Sequence, residues 1–158
     1  MKKGAMSIIL VLSGAVIGAL VTMKALIKKI DKLKETSDKY FTLMYLLNEW
    51  LKTKQEGKTI IQYLHENQIT DVAIYGMSYV GKRLYDELKN SDIEIKYAID
   101  RNADGICAEI EVFSLEENLP EAKAVIVTPV FYFDEIKEKL EKKVNSKILS
   151  LEDILYEI

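Results

Sequence analysis

The chain has 158 residues, about half of them apolar and 30% charged, which leaves room for one domain of ordinary size. Its net charge of −3 is unevenly spread: residues 1–40 hold eight Lys against three acids, and residues 41–158 hold fourteen basic against twenty-two acidic side chains. An acidic body repels phosphate backbones and excludes nucleic acid as its partner. A single cysteine, Cys107, excludes an internal disulfide, and with a single histidine it excludes a His/Cys zinc cluster.

In chain order the first feature is "GAMSIILVLSGAVIGALVTM", residues 4–23, which carries no charge. As a helix it would rise about 30 Å, enough to span a bilayer. Residues 1–24 are therefore expected to be a single-pass transmembrane anchor, with a signal peptide as the alternative. The run is longer than a signal core and no A-x-A site closes it. Lys24, Lys28, Lys29, Lys32 and Lys34 outnumber Lys2 and Lys3, which places the C-terminal side in the cytoplasm. Gly14 and Gly18 form a G-x-x-x-G on which two helices could pair.

Residues 25–57 read as a helical stalk. Leu26, Ile30, Leu33, Ser37, Tyr40, Met44, Leu47 and Leu51 alternate by four and three, a heptad seam with one polar member. That pattern suits a homodimeric coiled coil. Phe41, Leu43, Leu46 and Trp50 widen the apolar face, and for residues 41–51 they favour packing on the chain's own domain. Gly57 is a helix stop.

From residue 58 to 158, strands and helices alternate. Thr59 and Gln62 form a capping box opening a helix over residues 60–67. A strand is expected over 71–75, a helix over 80–90, a strand over 93–99, and a weaker strand over 109–113. Ser114 with Glu117 is expected to cap a brief helix. A buried strand follows over 124–128, then a helix in "FDEIKEKLEKK", a strand in "KILS", and a last helix capped by Ser150 and Asp153. This order predicts an α/β, Rossmann-like doubly wound parallel sheet of five strands, order 3-2-1-4-5.

In such a sheet the ligand site lies at the C-terminal strand ends, beside the switch point. Three segments converge there: the turn "GMSYVG" (Gly76, Met77, Ser78, Tyr79, then Gly81), Asp100 with Arg101, and Thr128-Pro129. Gly76 suits a sharp turn and Gly81 a close helix, while the N–H groups at the helix start face an anion. Ser78 stands where a dinucleotide fingerprint has its middle glycine. Its hydroxyl can donate to a phosphate oxygen. Asp100, 24 residues after Gly76, is placed to accept from a ribose hydroxyl. A turn that binds nothing remains the alternative.

"DVAIYGMSYVGKRLYDELKNSDIEIKYAIDRNADG" with "AVIVTPVFYFDEIKEKL" resembles the Rossmann-type domains of bacterial surface-polysaccharide synthesis. These include the N-terminal domains of nucleotide-sugar acyltransferases and domains like the nucleoside-diphosphate-sugar epimerases. The resemblance covers residues 59–158. It implies a nucleotide or nucleotide-sugar site framed by Gly76, Ser78, Tyr79, Gly81, Asp100, Arg101 and Thr128, with NAD or a nucleotide-sugar as ligand. No hexapeptide-repeat module follows in these residues, so acyl transfer is not carried over.

No catalytic set stands out. Tyr85 and Lys89 have the i, i+4 spacing of short-chain epimerases and dehydrogenases but lie on the wrong helix, and read as surface. His65 lies away from the expected site, and Cys107 reads as a buried structural thiol. The acid pairs Glu116-Glu117 and Asp134-Glu135 suit helix N-termini. The expectation is a membrane-anchored nucleotide- or nucleotide-sugar-binding module, with a reduced NAD-dependent sugar-nucleotide epimerase or reductase, or a non-binding scaffold, as alternatives.

Overall fold

The structure is a computed structural model. It describes residues 2–158, and side chains from residue 18 onward. Helix α1 runs over Lys2–Gln55. The chain divides into two compact units, Met1–Leu43 and Met44–Ile158.

In the first unit, the described part of α1 turns its large apolar side chains from Leu20 to Phe41 toward solvent, and Leu43 is half-buried. Lys39 pairs with Glu35 one turn earlier. The single-pass membrane localisation is corrected here: among the described residues no helix is long and apolar enough to cross a membrane. From Lys24 onward α1 carries Lys28, Lys29, Asp31, Lys32 and Lys34, too many charges for hydrocarbon. Residues 4–17 of the apolar run, Gly14 among them, lie outside the described side chains.

The second unit begins with the last turns of α1. Helix α2 follows over Ile60–Glu66, then strand β1 over Asp71–Tyr75, helix α3 over Tyr79–Leu88 and strand β2 over Glu94–Ile99. Strand β3 is Val112–Phe113, β4 is Ala124–Val127, helix α4 is Phe133–Leu140, β5 is Lys147–Ser150 and helix α5 is Leu151–Glu157. Single 3-10 turns occupy Ala103–Gly105 and Val130–Tyr132. The five strands form one all-parallel sheet in the order β3-β2-β1-β4-β5, as the alternation of elements predicted.

Burial on both faces explains why β4, and β1 after Asp71, are uninterrupted apolar runs. Ala73, Tyr75, Tyr97, Ile99, Val125 and Val127 form one side of a core closed by Ile136 and Leu140 of α4. The alternate residues Val72, Ile74, Ala98 and Ile126 are equally buried, as are Leu84 and Leu88 of α3, which contacts β1 and β2. Each Leu or Ile fully removed from water contributes about 1.5–3 kcal/mol. The α2 capping box is fully formed: Gln62 N–H donates to Thr59 Oγ1 at 3.2 Å, and Thr59 N–H to Gln62 Oε1 at 3.0 Å.

Three local expectations differ from the structure. Ser114 and Glu117 close a single turn rather than a helix. Ser114 N–H donates to Glu117 Oε1 at 2.6 Å, and Glu117 N–H donates to the Ser114 carbonyl at 3.1 Å. Pro120, three residues on, can donate no helical N–H. Ser150 precedes α5, but its side chain makes no capping bond. Cys107 is exposed, because the segment after the 3-10 turn runs over the surface before β3 begins.

On the helix side, Gly57 adopts φ +77° just past the end of α1. Leu46, Trp50 and Thr53 of α1 are buried in this unit, while Leu47 and Leu51 stay exposed. The indole N–H of Trp50 donates to Glu87 Oε2 of α3 at 2.8 Å.

Candidate functional site

Parallel register brings the site residues together. Tyr75 pairs with Ile99 on one side and Val127 on the other. The next residue of each strand is therefore Gly76, Asp100 and Thr128, three neighbours along one sheet edge.

At that edge β1 turns sharply into α3. Gly76 takes φ +91°, a conformation that a side chain rarely adopts. A Cβ there would lie 2.7 Å from Pro129 Cγ and 2.9 Å from Thr128 Oγ1. A Cβ on Gly81 would lie 1.9 Å from the Gly76 carbonyl oxygen, so its absence lets the first turn of α3 press against the loop. Thr128 is buried, and its hydroxyl donates to the Gly76 carbonyl at 2.7 Å.

Asp100 fastens the loop from the other side. Met77 N–H donates to Asp100 Oδ2 at 2.8 Å, and Asn102 N–H to Asp100 Oδ1 at 3.0 Å. Each carboxylate oxygen can accept a second donor, so the group keeps acceptor capacity. Met77 is otherwise a buried side chain, and only its backbone serves the loop.

The first hydrogen bond of α3 runs from Lys82 N–H to the Ser78 carbonyl. The N–H groups of residues 78–81 have no partner in the chain among the described residues. Unpaired N–H groups at a helix start carry partial positive charge. Ser78 is exposed, and its hydroxyl makes no capping bond.

A cavity of about 350 Å³ opens beside this turn, lined by Gly76, Ser78, Asp100, Arg101 and Pro129 together with Tyr75, Tyr132, Glu135, Ile136 and Lys139. Of the expected residues, Gly81 and Thr128 act from beneath, and Tyr79 points outward, 84% exposed. Tyr132, Ile136 and Lys139 escaped the sequence reading, and Glu135 entered it only as an acid at a helix start. Their signal was the 3-10 turn that holds Tyr132 and one face of the helix after it, spaced three and four apart, which start at the same edge.

Electrostatically the cavity is mixed. Lys139 bonds Glu135 at 2.6 Å, which holds the Glu135 carboxyl below its ordinary range and the Lys139 ammonium above its own. Burial raises the Tyr75 phenol, and the nearby Arg101 and Lys139 charges offset part of that. Hydrogen-bond donors and the cations Arg101 and Lys139 sit with two carboxylates, Asp100 and the Lys139-paired Glu135, around a half-open space, an arrangement suited to holding a phosphate and a hydroxyl.

The residues considered for chemistry lie elsewhere. Tyr85 hydroxyl donates to Glu109 at 3.0 Å and Lys89 pairs with Asp86 at 3.0 Å. His65 meets Asp92 at 2.9 Å on the surface. Among the described residues no group of three or more His, Cys, Asp or Glu side chains is placed to hold a metal ion.

No protein-family model, no curated protein and no solved structure matches this chain.

Proposed function

We propose that the second unit is a binding module for a nucleotide-type ligand, with nucleotide-sugars and NAD as the leading candidates. In this reading a phosphate rests on the N–H groups at the start of α3, helped by Ser78 and Arg101. A ribose hydroxyl donates to the remaining acceptor capacity of Asp100. The observation that carries the reading is the convergence, on one 350 Å³ cavity, of the Gly76 turn, Asp100 and Arg101. The link to surface-polysaccharide chemistry rests on the motif resemblance and sets the order in which ligands are tried.

A second reading, a scaffold that binds nothing, is favoured by one observation: both Asp100 oxygens already accept a backbone N–H. The two readings separate in a thermal-shift series on the full chain with NAD, NADP, coenzyme A, and UDP-, GDP- and CDP-sugars. One ligand class should raise Tm by several degrees, and Arg101→Ala should weaken that shift while the ligand-free Tm stays within a degree or so. A cooperative melt unmoved by every ligand supports the scaffold.

A further inference from the structure

The heptad seam of α1 remains uncovered by the chain itself. In the first unit Met23, Leu26, Ile30, Leu33 and Tyr40 are exposed; in the second, Met44, Leu47 and Leu51 carry the same repeat and are exposed too. Their exposure lies between 40% and 69%. The second unit buries another side of α1 through Leu46, Trp50 and Thr53; Leu47 and Leu51 border a groove edged by Arg83, Asp86 and Glu87 of α3 and stay exposed.

We propose that this stripe is the interface of a parallel, in-register two-stranded coiled coil between two copies of the chain. Three features select that occupant. The repeat averages 3.5 residues rather than 3.6, so only a helix that supercoils with α1 keeps the whole stripe covered. In sequence the repeat runs through four heptads, from Met23 to Leu51, the length at which such a seam supports a coiled coil. The third is Ser37, the one polar member of the seam. In register it faces Ser37 of the second copy and finds a hydroxyl partner, whereas an apolar helix would leave it stranded.

The same register fixes the flanking charges. With Leu26 and Leu33 at d positions and Ile30 at an a position, Lys29 is a g residue and Lys34 the e residue it meets across the interface. Both are exposed and of like charge. The pair opposes dimerisation, and salt screens it. Association therefore strengthens with ionic strength, the reverse of an interface held by ion pairs.

Sedimentation equilibrium and disulfide trapping of the full chain test this. With Cys107→Ser as background, Leu33→Cys should cross-link to a dimer on mild oxidation, since facing d positions meet the distance a disulfide needs. Lys28→Cys, on the outer side of the helix, should not. Lys29→Glu should tighten the dimer about tenfold at low salt, because it converts both repulsive pairs into attractive ones. Ile30→Lys should abolish the dimer without moving the Tm of the second unit. The proposal is overturned by a chain that stays monomeric at every soluble concentration. A dimer that Leu33→Cys fails to trap also overturns it, as does a monomer that uses Ile30 and Leu33 to bind phospholipid vesicles.

Discussion

Thr128 at the end of β4 donates its hydroxyl to the carbonyl of Gly76 at the end of β1, 2.7 Å away, in a place where Thr128 itself is 5% exposed. The bond ties the loop that forms one wall of the cavity to the strand that forms the next. Thr128→Val keeps the shape but leaves the Gly76 carbonyl without that donor. A buried acceptor left unpaired costs about 1–3 kcal/mol. The expected outcome is a lower urea midpoint with an unchanged m-value, largely restored in Thr128→Ser.

Gly81 gives the sharper test of how the loop is packed. In an unconstrained helix, replacing Gly by Ala stabilises by about 0.5–1 kcal/mol. Here the added methyl would stand 1.9 Å from the backbone oxygen of Gly76, which no rotamer change can move. Gly81→Ala is expected to destabilise by about 1–3 kcal/mol, the usual cost of forced overpacking. An increase in Tm would mean that α3 does not press on the loop.

These two residues also mark what could be read in advance. Apolar runs bounded by turn residues gave the strand order, because a strand buried on both faces has little choice of composition. The glycine turn, Asp100 and Thr128 were legible since each stands one residue past such a run. Tyr132, Glu135 and Lys139 were not, because a surface face of a short helix has the same composition wherever it points. Ser114 and Glu117 misled for a related reason: the same two side-chain types that open a helix also close an isolated turn. The uncharged run before Lys24 suggested a membrane span, but among the described residues no helix qualifies.

Glu87 joins three segments of the second unit. It accepts from the Trp50 indole at 2.8 Å, from Ile60 N–H at 3.2 Å, and pairs with Lys54 at 2.8 Å, while its own side chain is only 6% exposed. Glu87→Ala strands the Trp50 and Ile60 donors and should cost about 1–3 kcal/mol. Trp50 is the only tryptophan in the chain, so its emission should shift to the red as the indole loses its partner. Lys54→Ala removes a partner that is half exposed, and about 1 kcal/mol is the most it should cost. Equal losses in the two variants would show that the ion pair, not the indole and backbone bonds, makes the junction.

Tyr97 presents the opposite case, a polar group whose removal should help. It is fully buried in β2, stacked edge-on against Phe113 at 5.4 Å, and its hydroxyl has no hydrogen-bond partner among the described residues. Tyr97→Phe keeps the ring contact and removes an unpaired buried oxygen, so unfolding free energy should rise by about 1–3 kcal/mol. The pH dependence gives an independent check. Burial raises the phenol above its ordinary value of 10.0, so above that value the folded chain holds more protons than the unfolded one. Its contribution is therefore intact below pH 10.0 and is lost as pH rises through the raised value. Denaturant midpoints at about pH 8 and about pH 11 should thus converge in Tyr97→Phe relative to the parent. They should not coincide, since burial raises Tyr63 and Tyr75 as well. A variant less stable than the parent at the lower pH would mean that the hydroxyl is hydrogen-bonded in solution.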